Sequence, residues 1–411
     1  MMEKLSLKES VRVFVEERNA YYKQWVFDKP VIISAPHHAE LARLQKLMYR
    51  MIVHFVTHYD QLSHLMPVEP EVKKVMSLCN QRPYKVGTYR TDFVYDAEQG
   101  VRIIEITSRF ALNGMFLSAV MDELATRHLK CFLPELKVQR PYEAIYDHFS
   151  TYLAGIETVC ILKGSDQRNE SKIYADIFKR MGLQLYDIPF DQVAEHKALL
   201  SQAWIISELS FDEILAIPEE SMHWLSQLNV INDFRTIFIT HDKRFFEVLC
   251  TEELQAAVLN QEEQVFFRKF LVPTFSGKDA DAPWEEARAN KNQWIIKHRA
   301  LGKSQSVYAG PVTEEDDWEA LFHSDEKDDL VLQRWIDQKT VKGQIGQEHF
   351  DDFITGTLLF FDDHYFGPGD FRTSSFPVTN VKDHRKASSL TLSADHAVYD
   401  LSEYILIPAR T

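Results

Sequence analysis

Several kinds of signal are missing from this 411-residue chain, and each absence removes a class of protein. Cysteine is scarce: four residues, at 79, 131, 160 and 250, with no C-x-x-C pair. Such spacing builds neither a zinc cage nor a disulfide framework and fits a reducing cytoplasm. Positive charge is short as well, with 46 Lys and Arg against 61 Asp and Glu for a net charge of −15. A field of that sign repels phosphate backbones and anionic lipid, so neither nucleic-acid nor membrane binding is expected. No run of about 18 apolar residues is present for a membrane span. Met1 to Ala20 is charged and helix-patterned rather than a signal peptide. Familiar glycine motifs fail too. Gly302-Lys303-Ser304 looks like the end of a phosphate-binding loop, but the first glycine of that motif would fall on Lys297. No G-x-G-x-x-G follows a strand, and neither G-x-S-x-G nor H-E-x-x-H occurs.

What is present is ordinary globular composition, 45% hydrophobic and 26% charged, enough for two or three domains or one composite fold. The first eighty residues read as helices. Leu41, Leu44, Leu47, Met48, Met51, Ile52 and Phe55 recur at three- and four-residue spacing, as one buried helical face requires. His54, His58 and His64 on that stretch read as surface or core groups rather than ligands. From Lys85 the period becomes two: Val86 to Tyr95 is a strand, Asp96 to Gly100 a turn and Val101 to Thr107 a second strand. Helices are expected at about 114–129 and 141–153. Residues 157–250 alternate, with strands at 158–162, 183–188, 203–207 and 236–240 and a helix at 170–181, which predicts an open, largely parallel α/β sheet. A polar stretch at 276–283 is the best linker candidate, and the chain turns β-rich after Trp294.

Four dispersed segments carry chemistry. Arg90 and Asp92 share one strand face, as do Glu105 and Thr107 on the partner strand. If the turn centres on Gln99-Gly100, Asp92 faces Glu105 across the ladder. Two carboxylates and a neutral oxygen suit Mg²⁺, while ordinary cross-strand ion pairs would look the same in sequence. In the second segment, Ile296-Lys297-His298 ends a strand and Gly302-Lys303-Ser304 lies in the loop behind it, a place to neutralise phosphate, or else a plain hairpin with a basic tip. Leu330 to Ile336, broken by Gln333, offers backbone groups for an adenine edge, and Phe371 to Asn380 places Arg372 and Asn380 beside a strand. Asp362-Asp363-His364 reads as a turn.

Together and in this order, the segments resemble the circularly permuted ATP-grasp ligases, the class that includes glutathionylspermidine synthetase. The matching pieces are Arg90-Thr91-Asp92, Glu105-Ile106-Thr107, Asn232 with Asp242-Lys243-Arg244, Ile296-Lys297-His298, Gln333-Arg334-Trp335-Ile336, and Arg372 to Asn380, spanning about residues 85–381. The resemblance implies an α/β (α+β) protein divided as follows: a helical N-terminal segment, 1–84; an ATP-grasp part with the metal-binding hairpin, 85–150; a Rossmann-like pre-ATP-grasp domain, 151–250; and nucleotide-binding subdomains, 251–411. It further implies ATP and Mg²⁺ as cofactors. Asp92, Glu105 and Thr107 would hold the metal, with Arg90 and Arg372 at the reacting phosphate. Lys243, Lys297, Gly302, Lys303, Ser304, Gln333 and Trp335 would lie around the nucleotide, and Arg109 and Asn113 near the substrate. The implied activity is a cytoplasmic carboxylate–amine ligase that joins an amino acid or small peptide to an amine through an acyl-phosphate, and a homodimer is compatible with it. Three departures stand out: Thr107 in place of asparagine, one glycine in the loop Ala300 to Ser306, and Val381-Lys382-Asp383-His384 in place of a glycine pair. They keep two alternatives open, a non-catalytic nucleotide- or partner-binding scaffold and an ATP-dependent phosphotransferase.

Overall fold

The computed structural model describes residues 4–97, 100–112, 114–132, 138–139, 141–166, 169–276, 281–302, 304–393 and 405–406. The expected hairpin forms from strands Thr88–Asp96 and Gly100–Thr107, while Glu98 and Gln99 of its turn lie outside the described residues. Its register pairs Arg90 with Thr107 and Asp92 with Glu105, then slips, so that Phe93 meets Ile103 and Ile104 has no partner. Such a bulge bends the strand and re-aims its side chains. Tyr89, Phe93, Tyr95, Val101, Ile103 and Ile106 go into the core, so that Arg90, Asp92 and Glu105 take the opposite face.

That hairpin is the end of a seven-stranded antiparallel sheet whose other members come from late in the chain. The long strand Glu348–Phe361 lies beside Thr88–Asp96, pairing Thr357 with Asp92 and Thr355 with Val94. On its far side Phe371–Ser374 pairs Arg372 with Thr355. The helix Ala35–Thr57 covers the core face, and the apolar positions read from its spacing, Leu41 to Phe55, are all buried. Ser34 starts this helix by accepting a hydrogen bond from the backbone N–H of His37.

The middle of the chain forms a four-stranded parallel sheet in the order Gln184–Pro189, Thr158–Lys163, Trp204–Glu208, Val230–Ile231. Residues 236–240, expected as a strand, are helical: Phe234–Thr240 is one short helix, buried on every side. A short, uniformly apolar run carries no period to separate the two states. Asp233 decides it by accepting from the backbone N–H of Arg235, and Val230–Ile231 takes the strand's place.

A third sheet is antiparallel, in the order Val307–Ala309, Trp294–His298, Leu330–Arg334, Thr274–Ser276. The linker expected at 276–283 is shorter than its composition suggested, because Ser276 closes a strand and Asp281–Ala289 is a helix; 277–280 lie outside the described residues. The N-terminal segment is not wholly helical either: Val31–Ile33 is a strand, parallel to Ser389–Leu392. Among the described residues, no helix is long and apolar enough to cross a membrane.

Candidate functional site

A cleft of about 740 Å³ opens between the third sheet and the outer face of the hairpin. Eight of the residues given a metal, nucleotide or phosphate role from sequence line it: Glu105, Lys243, Lys297, Gly302, Ser304, Gln333, Trp335 and Arg372. Arg90, Asp92, Thr107 and Arg109 are not among its lining residues. Lys303 and Asn113 lie outside the described residues.

Lys297 is the best-defined group. It sits on the strand Trp294–His298 and is 6% exposed, with Nζ donating to Gln333 Oε1 at 2.8 Å and to the Ile104 carbonyl at 3.2 Å. That carbonyl belongs to the unpaired residue of the hairpin bulge. Burial, and secondarily the like charge of Lys243, push the ammonium down to about 8 against the opposing pull of Glu105. Gln333 spends its other end on Thr274, donating from Nε2 to Oγ1 at 2.9 Å. Bonded at both ends, its side chain orients Lys297. Trp335 follows the same strand and borders the cleft, its backbone N–H tied to the Gln293 carbonyl at 2.8 Å.

Lys243 reaches the cleft from another direction. Its backbone N–H donates to the Arg299 carbonyl at 2.9 Å and its Nζ to the Leu301 carbonyl at 2.6 Å, so the chain after Lys297 is pinned at both points. Its Nζ also stands 3.5 Å from Glu105 Oε1. Burial works against the Glu105 carboxylate, but Lys243, Lys297, Arg372 and Arg90 together outweigh it, and the group stays ionised below its ordinary range. Asn232, matched to the same family segment, serves the fold: buried, it accepts from the Thr88 N–H at 2.6 Å and donates to the carbonyls of Thr88 and Ser108 at 2.5 Å.

Asp92 is held by two arginines. It is 1% exposed; Oδ1 accepts from Arg90 Nε at 2.9 Å, and Oδ2 accepts from Arg372. Thr107 stands across from Arg90. Among the described residues no group of three or more His, Cys, Asp or Glu side chains is placed to hold a metal ion. Of the three residues expected around Mg²⁺, only Glu105 lines the cleft, and its carboxylate faces Lys243 at 3.5 Å, an arrangement that suits a cation's partner better than a metal ligand. A nucleotide fits better. Val94, Ile104, Ile295, Leu301, Val307, Ile336, Pro377 and Val378 form apolar walls, and Lys243, Lys297 and Arg372 supply cations. The buried Nε of Arg372 has no hydrogen-bond partner, which leaves a donor for an anion.

Arg109 lies toward the parallel sheet, 3.5 Å from Asp166 and stacked at 4.1 Å on Phe110. Sequence reasoning missed the carbonyls of Ile104 and Leu301, which have no residue-type signal, and did not assign Thr379 and Asn380 to the site. Asn380 is on a turn beyond the strand Phe371–Ser374, and both residues line the cleft.

Comparison with known proteins gives matches of two kinds. The family model for the AnkG N-terminal domain matches residues 43–239, which takes in the hairpin and the parallel sheet but stops before Lys243, Lys297, Gln333 and Arg372. No curated protein matches the chain. Among solved structures, the apo form of a glutathione synthetase-like effector from Globodera pallida is similar at 11% identity with a TM-score of 0.56, over 92% of this chain and 97% of that one. At that identity the likeness speaks for the fold: a mixed α/β architecture resembling a glutathione synthetase-like protein.

Proposed function

We propose that the cleft binds ATP and that the protein is a carboxylate–amine ligase of the ATP-grasp type, with a circularly permuted order in which the early hairpin and the late strands complete one sheet. One observation carries this reading: Lys243, Lys297, Gln333, Trp335 and Arg372, from segments far apart in sequence, line a single cleft. The four-part division of the chain and the small carboxylate and amine substrates belong to the same proposal. Bound there, ATP would supply the phosphoryl group that turns a carboxylate into an acyl-phosphate, which an amine opens to an amide with release of phosphate. The chain's own part is positioning and charge. Lys243, Lys297 and Arg372 hold negative oxygen within the cleft, and Leu301 and Gly302, docked on Lys243 through the Leu301 carbonyl, wall it against water.

A second reading, a nucleotide-binding scaffold without turnover, is favoured by Asp92, whose two oxygens are both engaged by arginines. Calorimetric titration of ATP tests what the two readings share. The expected dissociation constant is micromolar, about −8 kcal/mol, and Lys297→Ala should weaken binding sharply. No binding by folded wild-type protein would overturn both readings. Where ATP binds, phosphate release with some pair of an amino acid or small peptide and an amine, with a new amide by mass spectrometry, supports the ligase. Binding without release across the screen leaves the scaffold.

A further inference from the structure

The mismatch between the expected metal ligands and their surroundings has a positive side. Mg²⁺ at a nucleotide site is held by one or two carboxylates together with the phosphates, and it offsets phosphate charge. Here Asp92 is taken by Arg90 and Arg372, and Glu105 stands 3.5 Å from Lys243. Lys243, Lys297 and Arg372 all line the cleft, with Arg90 behind them on Asp92. Among the described residues, the charged side chains that line the cleft are Lys243, Lys297, Arg334 and Arg372 against one carboxylate, Glu105, while Arg90 behind them is shared by Asp92, Glu170 and Asp370. The side chains of Lys243, Arg90 and Arg372 are largely buried, 3%, 14% and 17% exposed, so solvent screens them little and an entering dication would meet them as like charges.

We propose that the cleft takes its nucleoside polyphosphate without a divalent cation, the phosphate charge being met by Lys243, Lys297 and Arg372. This rests on the nucleotide reading above and concerns who holds the phosphates, not the rate of any later step. Glu105 then acts as a negative group facing the phosphates and keeping the two lysines in place, rather than as a metal ligand.

The test is a pair of calorimetric titrations of ATP into the full chain, one with EDTA and one with excess Mg²⁺. The expected result is binding in both, with the EDTA affinity equal to or tighter than the Mg²⁺ affinity, since free ATP carries more charge; a loss on chelation of more than about tenfold overturns the proposal. Binding seen only with Mg²⁺ sinks the proposal and leaves the nucleotide reading intact. Absence of binding in both, with cooperative unfolding retained, removes the nucleotide reading and the proposal with it. Glu105→Gln adds a sign. Removing its charge should tighten ATP binding in EDTA by about threefold or more, whereas a metal ligand's removal would weaken binding in Mg²⁺. The wild-type pair of titrations decides the matter even where the variant fails to fold.

Discussion

Two buried aspartates among the described residues are each gripped by two arginines, and one of these pairs places an arginine in the cleft. Asp92 is held by Arg90, two residues before it, and by Arg372; Asp242 is held by Arg244, two residues after it, and by Arg299. Both carboxylates are buried, at 1% and 0% exposure. The difference lies in where the arginines go next. Arg299 continues to Asp329 at 2.7 Å and to Glu69, and Arg244 donates to the Pro67 carbonyl at 3.0 Å, so the Asp242 clamp ties the N-terminal helices to the third sheet. Arg372 borders the cleft and keeps a buried Nε without a partner. The same i, i+2 pairing recurs at Asp233–Arg235 and Asp383–Arg385. An arginine two residues from an aspartate is therefore a common local motif of this chain, and it becomes a site only where a second arginine faces open volume.

The sharpest way to break this comparison is to remove each aspartate. Asp242→Ala strands two buried guanidinium groups in a network that joins three parts of the fold, and the expected loss is about 3–5 kcal/mol by chemical denaturation. An equal loss from Asp92→Asn, which keeps the shape and a hydrogen-bond acceptor, would erase the distinction. Next in size is Arg372→Ala. It should lower ATP affinity by at least about tenfold, with a midpoint of thermal unfolding within about 4 °C of wild type. A large fall in unfolding temperature with unchanged affinity would make Arg372 as structural as Arg299.

The comparison also shows what a sequence can carry. Period-two patterning and a turn at Gly100 were enough to set Asp92 against Glu105, because strand register follows from local rules. The partner that changes the meaning of Asp92 was not legible: Arg372 is 280 residues away, and no local rule brings it to the same sheet face. The bulge that leaves Ile104 unpaired, with its carbonyl turned to Lys297, has no glycine or other residue to announce it. At 236–240 the sequence misled for a different reason. Thr236-Ile237-Phe238-Ile239-Thr240 has strand propensity, yet helix and strand bury such a run equally well, and the cap at Asp233 made the choice.

The smallest expected effect is a proton. In the free protein the Lys297 ammonium is pushed down to about 8, mainly by burial. An unfolded lysine titrates near 10.4, so between those two values the unfolded chain binds more protons, and this group makes the fold more stable as pH rises through that window. Phosphate in the cleft acts in the opposite sense, since it favours the charged form. ATP affinity should therefore be flat below pH 8 and fall above it as Lys297 loses its proton before binding. Titrations at pH 8 in buffers of different ionisation enthalpy should show uptake of a fraction of one proton, and Lys297→Met should abolish that uptake along with most of the affinity. Binding at pH 8 with no proton taken up would mean that the phosphates lie away from Lys297, leaving Lys243 and Arg372 as the groups that hold them.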